Sequence, residues 1–215
     1  MTAMARTRVH NFTISLDGFG TGKGQSRQAP FGDADLSMLK WFDGRVIHGI
    51  DKQPDIPAGP ERVLSTGWGQ GIGAEIMGRN KFDPTPGEFD ESWQGWWGDA
   101  PPFLTPVFIL THHRRAPIEF ANGTSFHFID ATPAEALVLA KEAAGGLDVR
   151  IGGGVSSLRQ FLAADLVDHM HLAVVPVVLG RGERLWDGLD RLHERFDVQS
   201  VTMPSGVTHL TFTRR

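Results

Sequence analysis

The chain has 215 residues, a formal net charge of −4 and no cysteine. That length suits one sizeable core rather than two domains. Lysines and arginines are scattered, which excludes the basic footprint of a nucleic-acid binder, and the missing cysteines exclude disulfides, thiolate zinc sites and a thiol nucleophile. No apolar run is long enough to span a bilayer, and none follows the basic start of the chain, so a soluble cytoplasmic protein is expected.

Residues 7–16 (TRVHNFTISL) alternate as a strand with Val9, Phe12, Ile14 and Leu16 as its apolar members, and Asp17 and Gly18 open a turn. Residues 21–30 read as an exposed loop. Asp33 is placed to cap a helix whose apolar positions Leu36, Leu39, Trp41 and Phe42 fall at roughly helical spacing. From 45 to 73 the chain is rich in glycine and proline, a long excursion with a short helix near 61–65. Residues 74–79 (AEIMGR) form a short buried strand closed by a glycine, and Trp93, Trp96 and Trp97 follow in an aromatic patch without a clean period. Two readings of that patch stand together: a roof over a substrate ring, or packing under a long loop or at a subunit contact.

Residues 107–111 (VFILT) are the clearest buried strand and run into His112, His113, Arg114 and Arg115. Residues 124–129 alternate as another strand. Thr132 caps a helix over 133–144, with proline at its first position and two glycines past its end. Residues 168–178 supply a further strand, and 196–202 with 206–213 close the chain as a hairpin. Alternating strands and helices predict an α/β fold around a central mixed, mostly parallel sheet with helices on both faces. Among the close histidine sets, adjacent strand residues point apart and no carboxylate completes a ligand set, so no metal is expected. His171 reads as a packed core or interface residue, and Arg150 and Arg159 as surface charges.

The stretch that organises the chain is 149–162 (VRIGGGVSSLRQFL). A β-branched run feeds Gly152, Gly153 and Gly154, and a helix opens at Val155, Ser156 and Ser157. Glycines let a phosphate approach the backbone, while the free N–H groups and dipole of a helix start favour its charge. On its own the motif serves equally well as a turn. Ligands of such sheets sit beyond the carboxyl ends of the strands. Three strands end in groups suited to phosphates: Gly78-Arg79, then Thr111 with His112, His113 and Arg114, then the glycine triplet. The reading requires these three ends to share one edge.

With SLDG at 15–18, IMGRNKF at 76–82, VFILTHHRR at 107–115, IGGG at 151–154 and HLAVVPVVLGRGERLW at 171–186, the chain resembles the dihydrofolate reductase-like superfamily. It is most similar to the C-terminal reductase domain of the bifunctional riboflavin-biosynthesis deaminase/reductase, and among those to stand-alone bacterial members with GWWGD and LTHH segments. The resemblance implies a three-layer dihydrofolate reductase-like fold in a single domain over 1–215, with loop excursions near 20–32, 45–73 and 83–105. It implies direct hydride transfer from NADPH to a small heterocyclic or carbonyl/imine substrate, pterin- or pyrimidine-like, without a metal or covalent intermediate. Homodimers are common among such domains. A non-catalytic dinucleotide-binding module and a reductase of an unrelated small molecule are the alternatives. A deaminase half is excluded here, because its zinc site is built on cysteines.

By position in these motifs, Gly78 and Arg79 lie at the cofactor phosphates, with Asn80 and Lys81 beside them. Thr111 and His112 sit at the adenosine ribose and 2′-phosphate with His113 and Arg114 as neighbours. Gly152, Gly153 and Gly154 approach the diphosphate on the nicotinamide side, and Val155, Ser156 and Ser157 start the helix that receives it. Relatives carry threonine where this chain has Lys81, which either replaces a hydroxyl contact to phosphate with a charge or points to water. Asp35 resembles the acid of dihydrofolate reductases and Asp17 is the second candidate. A helix cap for Asp35 and a turn for Asp17 are the competing structural roles.

Overall fold

The computed structural model describes residues 5–39, 41 and 59–215, the side chains of 35–37 and 66 excepted. Phe42, the expected helix end near Gly44 and the first part of the 45–73 excursion fall outside the described residues.

In chain order the strands are β1 Thr7–Ser15, β2 Phe19–Thr21, β3 Ile72–Gly78, β4 Pro106–Leu110, β5 Ile118–Glu119, β6 Ser125–Ile129, β7 Asp148–Gly153, β8 His169–Val175, β9 Glu183–Arg184, β10 Phe196–Thr202 and β11 Thr208–Arg214. The helices are α1 Pro60–Thr66, α2 Arg79–Phe82, α3 Pro133–Ala143 and α4 Val155–Ala163. Nine strands form one sheet in the order β10-β11-β8-β1-β7-β3-β4-β6-β5, and β2 pairs with β9 apart from it. The six strands from β8 to β6 run parallel, flanked by the antiparallel β10–β11 hairpin at one edge and by β5 at the other. The fold is therefore the expected mixed, mostly parallel α/β sheet with an antiparallel pair at its C-terminal end.

Parity along the strands decides what each face receives. Val9, Ala74, Ile76, Val149, Ile151, Met170 and Leu172 point to the face covered by α3 and α4. Val155, Leu158, Phe161 and Leu162 give α4 the apolar stripe that meets them. Val9 and Phe12 are three residues apart and would face opposite sides of a regular strand. A register shift there, with Asn11 in the left-handed region (φ 55°), inserts one residue and brings both to the same face. Leu16 lies past the strand end and is exposed.

The opposite face is covered differently. Met77, Val107, Ile109 and Phe126 pack under Phe82, Phe89, Trp97, Phe103 and Trp68, which belong to α2, the aromatic segment and a short 3-10 turn. Ala173 and Val175 pack under Met38 and Trp41. The segment expected as a helix from Asp33 is a 3-10 helix, Gly32–Leu39, and Asp33 does not cap it. Its carboxylate instead accepts from Lys23 N at 2.8 Å and pairs with Arg181 at 2.7 Å, tying two loops together.

That face also carries a histidine layer. His10 of β1, His169 and His171 of β8 and His209 of β11 gather there, with His171 Nε2 3.0 Å from His209 Nδ1 and His209 Nε2 3.3 Å from Glu61 of α1. Trp41 stands edge-on to His209 and Asn11 bonds His171. Burial, reinforced by Arg8, pushes His10 down to about 3, and burial beside His209 and His169 pushes His171 down to about 4. His169 is lowered by burial and by Arg8 and Arg6, against the nearby Asp148. These rings are neutral when folded and bind protons when unfolded, so their stabilisation is complete above about pH 6.5 and is lost as pH falls towards 4. Urea unfolding is expected to weaken across that window with a slope exceeding the roughly 1.4 kcal/mol per pH unit of a single proton. His10→Asn should flatten it.

Helix α3 begins with the capping box read from the sequence: Thr132 Oγ1 accepts from Glu135 N at 3.3 Å, and Glu135 accepts from Thr132 N at 2.9 Å. Thr132→Ala is expected to cost about 1 kcal/mol, a Tm loss of roughly 2–4 °C in thermal denaturation.

Candidate functional site

β7, β3 and β4 are neighbours in the sheet and run parallel, with Gly78 paired to Leu110 and Met77 to Gly153. The three strand ends singled out in the sequence therefore lie side by side on one edge. Gly154 stands at the N-cap of α4 with no side chain capping the helix, which leaves the first-turn N–H groups facing outward. Gly153 has φ +106°, a conformation that favours glycine. The space a Cβ would take at Gly154 is open, whereas at Gly78 it would lie 2.1 Å from Ser157 Oγ. The end of β3 thus presses on the first turn of α4 and leaves a cradle at Gly154. A diphosphate fits these groups: outward N–H donors, a helix dipole and room to approach.

Farther along the edge, Arg79 donates to Thr85 O at 2.8 Å and its guanidinium stacks 4.3 Å over Phe89. Thr111 is buried and its hydroxyl accepts from His113 N at 3.1 Å. His112 meets Asp130 at 2.8 Å and His113 meets Glu88 at 3.1 Å. Asn80 and Arg114 are exposed.

On the other side of the glycine turn, at the strand ends and reaching under the sheet face without long helices, lies a cavity of about 210 Å³. Phe12, Trp68, Trp96, Trp97 and Phe103 wall it, and the charged residues lining it are Lys81 and Arg150. The Lys81 ammonium turns inward and donates to Gly152 O at 2.6 Å. Burial, aided by Arg150 and opposed by Glu75, lowers it to about 7. Arg150 is not the surface charge its position in an apolar run suggested. It is buried, stacks 4.1 Å from the Trp68 ring and pairs with Glu75 at 3.3 Å, its register partner on β3. Trp93 and Trp96 donate from their indoles to Phe82 O and Lys81 O, so the aromatic segment both packs onto α2 and walls the cavity.

Loop residues Gln25, Pro30 and Phe31 complete the wall. This strap is tied at its end by Asp33 to Arg181 and in its middle by Arg27, whose guanidinium bonds buried Asp83 at 2.7 Å and Asp90 at 2.9 Å while lying over Trp93. Of the two candidate acids, Asp17 accepts from Ser15 Oγ, Leu179 N and Gly180 N; the Ser15 bond above all, with the two backbone N–H groups, holds it down to about 2. That carboxylate staples the turn to the loop after β8 and is outside the residues lining the cavity. Asp35 lies on the 3-10 helix whose Leu39 lines the cavity, and its side chain is outside the described residues. Among the described residues no cluster of three or more histidines and carboxylates is grouped to hold a metal, and no helix is long and apolar enough to cross a membrane.

The sequence profile of the RibD C-terminal domain matches residues 72–209, from the start of β3 into β11. The chain belongs to the RibD C-terminal domain family. No curated protein sequence matches it significantly. Among solved structures it is similar to a protein from Shewanella sp. PV-4 described as a riboflavin biosynthesis protein, at 22% identity and TM-score 0.60 over 98% of this chain and 99% of that one. It is also similar to Acinetobacter baumannii RibD, at 18% identity and TM-score 0.50, covering all of this chain and 59% of that one. At these identities the likeness shows a shared fold.

Glu75, Arg150 and His10 were not singled out for function in the sequence. The available signal was a charge in the middle of each of two apolar strand runs, AEIM and VRI, which only cross-strand register turns into a pair. The tight fit at Gly78 gives a direct test of how β3 and α4 meet. Gly78→Ala is expected to lose about 1–3 kcal/mol in chemical unfolding, and Ser157→Ala on that background should recover part of it by removing the hydroxyl that collides.

Proposed function

We propose that this chain is a reductase that uses NADPH to reduce a small planar substrate. The observation that carries the reading is the meeting, at one sheet edge, of an uncapped helix start with a glycine cradle and an aromatic-walled cavity that shares Gly152, Gly153 and Gly154 with it. Membership of the RibD C-terminal domain family supports the reductase class.

The first-turn N–H groups of α4 hold the diphosphate at Gly153 and Gly154. Arg79, Thr111 and His112 lie along the same edge towards the adenosine, where Arg79 provides a charge for a 2′-phosphate on releasing Thr85. When bound, the cofactor supplies a hydride from its reduced nicotinamide ring. The chain's own part is placement: the cavity walls hold the acceptor ring beside Gly153 and keep water out, which strengthens every polar contact inside. Asp17, with its carboxylate held ionised by the turn, has no proton to deliver at neutral pH.

NADPH at about 100 times its Kd is expected to stabilise the protein by roughly 2.7 kcal/mol in thermal denaturation, and a curve unchanged at millimolar NADPH overturns the proposal. Arg79→Ala should weaken NADPH far more than NADH. Equal losses would remove Arg79 from the 2′-phosphate.

A further inference from the structure

The cavity floor has an unusual charge balance. Glu75 and Arg150 are both nearly fully buried and offset one another, yet Glu75 Oε2 and Arg150 Nε have no hydrogen-bond partner. Lys81 then adds a second cation: a Cβ built at Gly152 would lie 3.0 Å from Lys81 Nζ, 2.9 Å from Glu75 Oε2 and 3.5 Å from Arg150 Nη2. Two cations thus face one carboxylate around a single glycine, among the described residues. An unpaired charge held away from water is costly, and a chain relieves that cost by losing the proton or by binding a counter-ion. The proton affinity of Lys81, reduced to about 7, reflects the first route when no ligand is present.

The walls specify what kind of counter-ion fits. The Arg150 guanidinium lies 4.1 Å over the Trp68 ring, Trp68 and Trp97 each meet Phe103 edge to face at 6.2 and 4.8 Å, and Phe12 covers Gly153. Such walls favour a flat ring over a small hydrated ion. We infer that the cavity takes a planar aromatic or heteroaromatic anion, with its charged oxygen on Lys81 at the Glu75–Arg150 floor and its ring against the aromatic wall that Trp68, Trp97 and Phe103 form together. This narrows the substrate class of the proposed reductase and rests on that reading only in taking this cavity as the substrate site.

The experiment is isothermal titration calorimetry of the cofactor-free protein with 2-naphthoate, its neutral isostere 2-naphthamide, and inorganic phosphate. Naphthoate is expected to bind about tenfold or more tighter than the amide, as a charge-assisted contact provides. Lys81→Met should abolish that preference and Lys81→Arg should keep it, with folding of each variant checked by circular dichroism. Equal binding of acid and amide, or an undiminished preference in Lys81→Met, overturns the inference. Competition by phosphate at the same affinity overturns its ring part. Binding of naphthoate to Asp35→Asn alone and not to the natural protein overturns it too, since Asp35 would then be the counter-charge. NADPH plays no part in the titration, so a failed NADPH stabilisation and a failed naphthoate titration are separate results.

Discussion

The pairing of Glu75 with Arg150 is the constraint on which the site depends. The two residues are register partners on adjacent central strands, buried on the face that the long helices leave free. Removing two charges from water is expensive, and only close mutual geometry makes it tolerable. The pair therefore fixes the relative position of β3 and β7 on that face, gives Trp68 a cation to stack on, and sets the field in which Lys81 holds its proton. An apolar pair of the same volume would pack at least as well. What the ions add is a polar floor inside an aromatic chamber.

The two faces of the sheet divide the work. Helices α3 and α4 cover one face with a continuous apolar core, the arrangement that supplies most of a domain's stability. Short turns, the aromatic segment and loops cover the other, and there the polar residues accumulate: the histidine layer, Lys81 and the ion pair. Helix α4 serves both sides. Its apolar stripe anchors it to the core while its first turn, aimed past the strand ends, stays free for a ligand.

How much could be read in advance follows from how local each signal is. The capping box at Thr132, the strand ends at Gly78 and Leu110 and the glycine turn rest on spacings within a few residues, and the parallel sheet follows from their alternation. Convergence of the three strand ends was a requirement of that reading rather than a result of it, and it is met because β7, β3 and β4 are parallel neighbours, an order that no local spacing gives. Arg150 was misread because an arginine in a strand is buried or exposed according to its partner, and Glu75 is distant in sequence. The place of Lys81 was hidden for a similar reason: nothing in IMGRNKF says that the third residue of a one-turn helix folds back to the Gly152 carbonyl. Asp33 had the sequence context of a cap but finds a stronger use with Lys23 and Arg181. The alternation of β1 was legible only in part, because the inserted residue at Asn11 shifts the parity of everything after Val9.

The strap over the cavity has a kinetic side. Arg27 reaches from it to Asp83 and Asp90, and its own far end is tied through Asp33 to Arg181. Asp83 is fully buried, so its share of the bond is little screened by salt, whereas Asp90 and the Asp33–Arg181 pair are more exposed and weaken as salt rises. The strap is therefore held by one tie that resists salt and by others that salt loosens, so its mobility rises with ionic strength only as far as the Arg27–Asp83 bond allows.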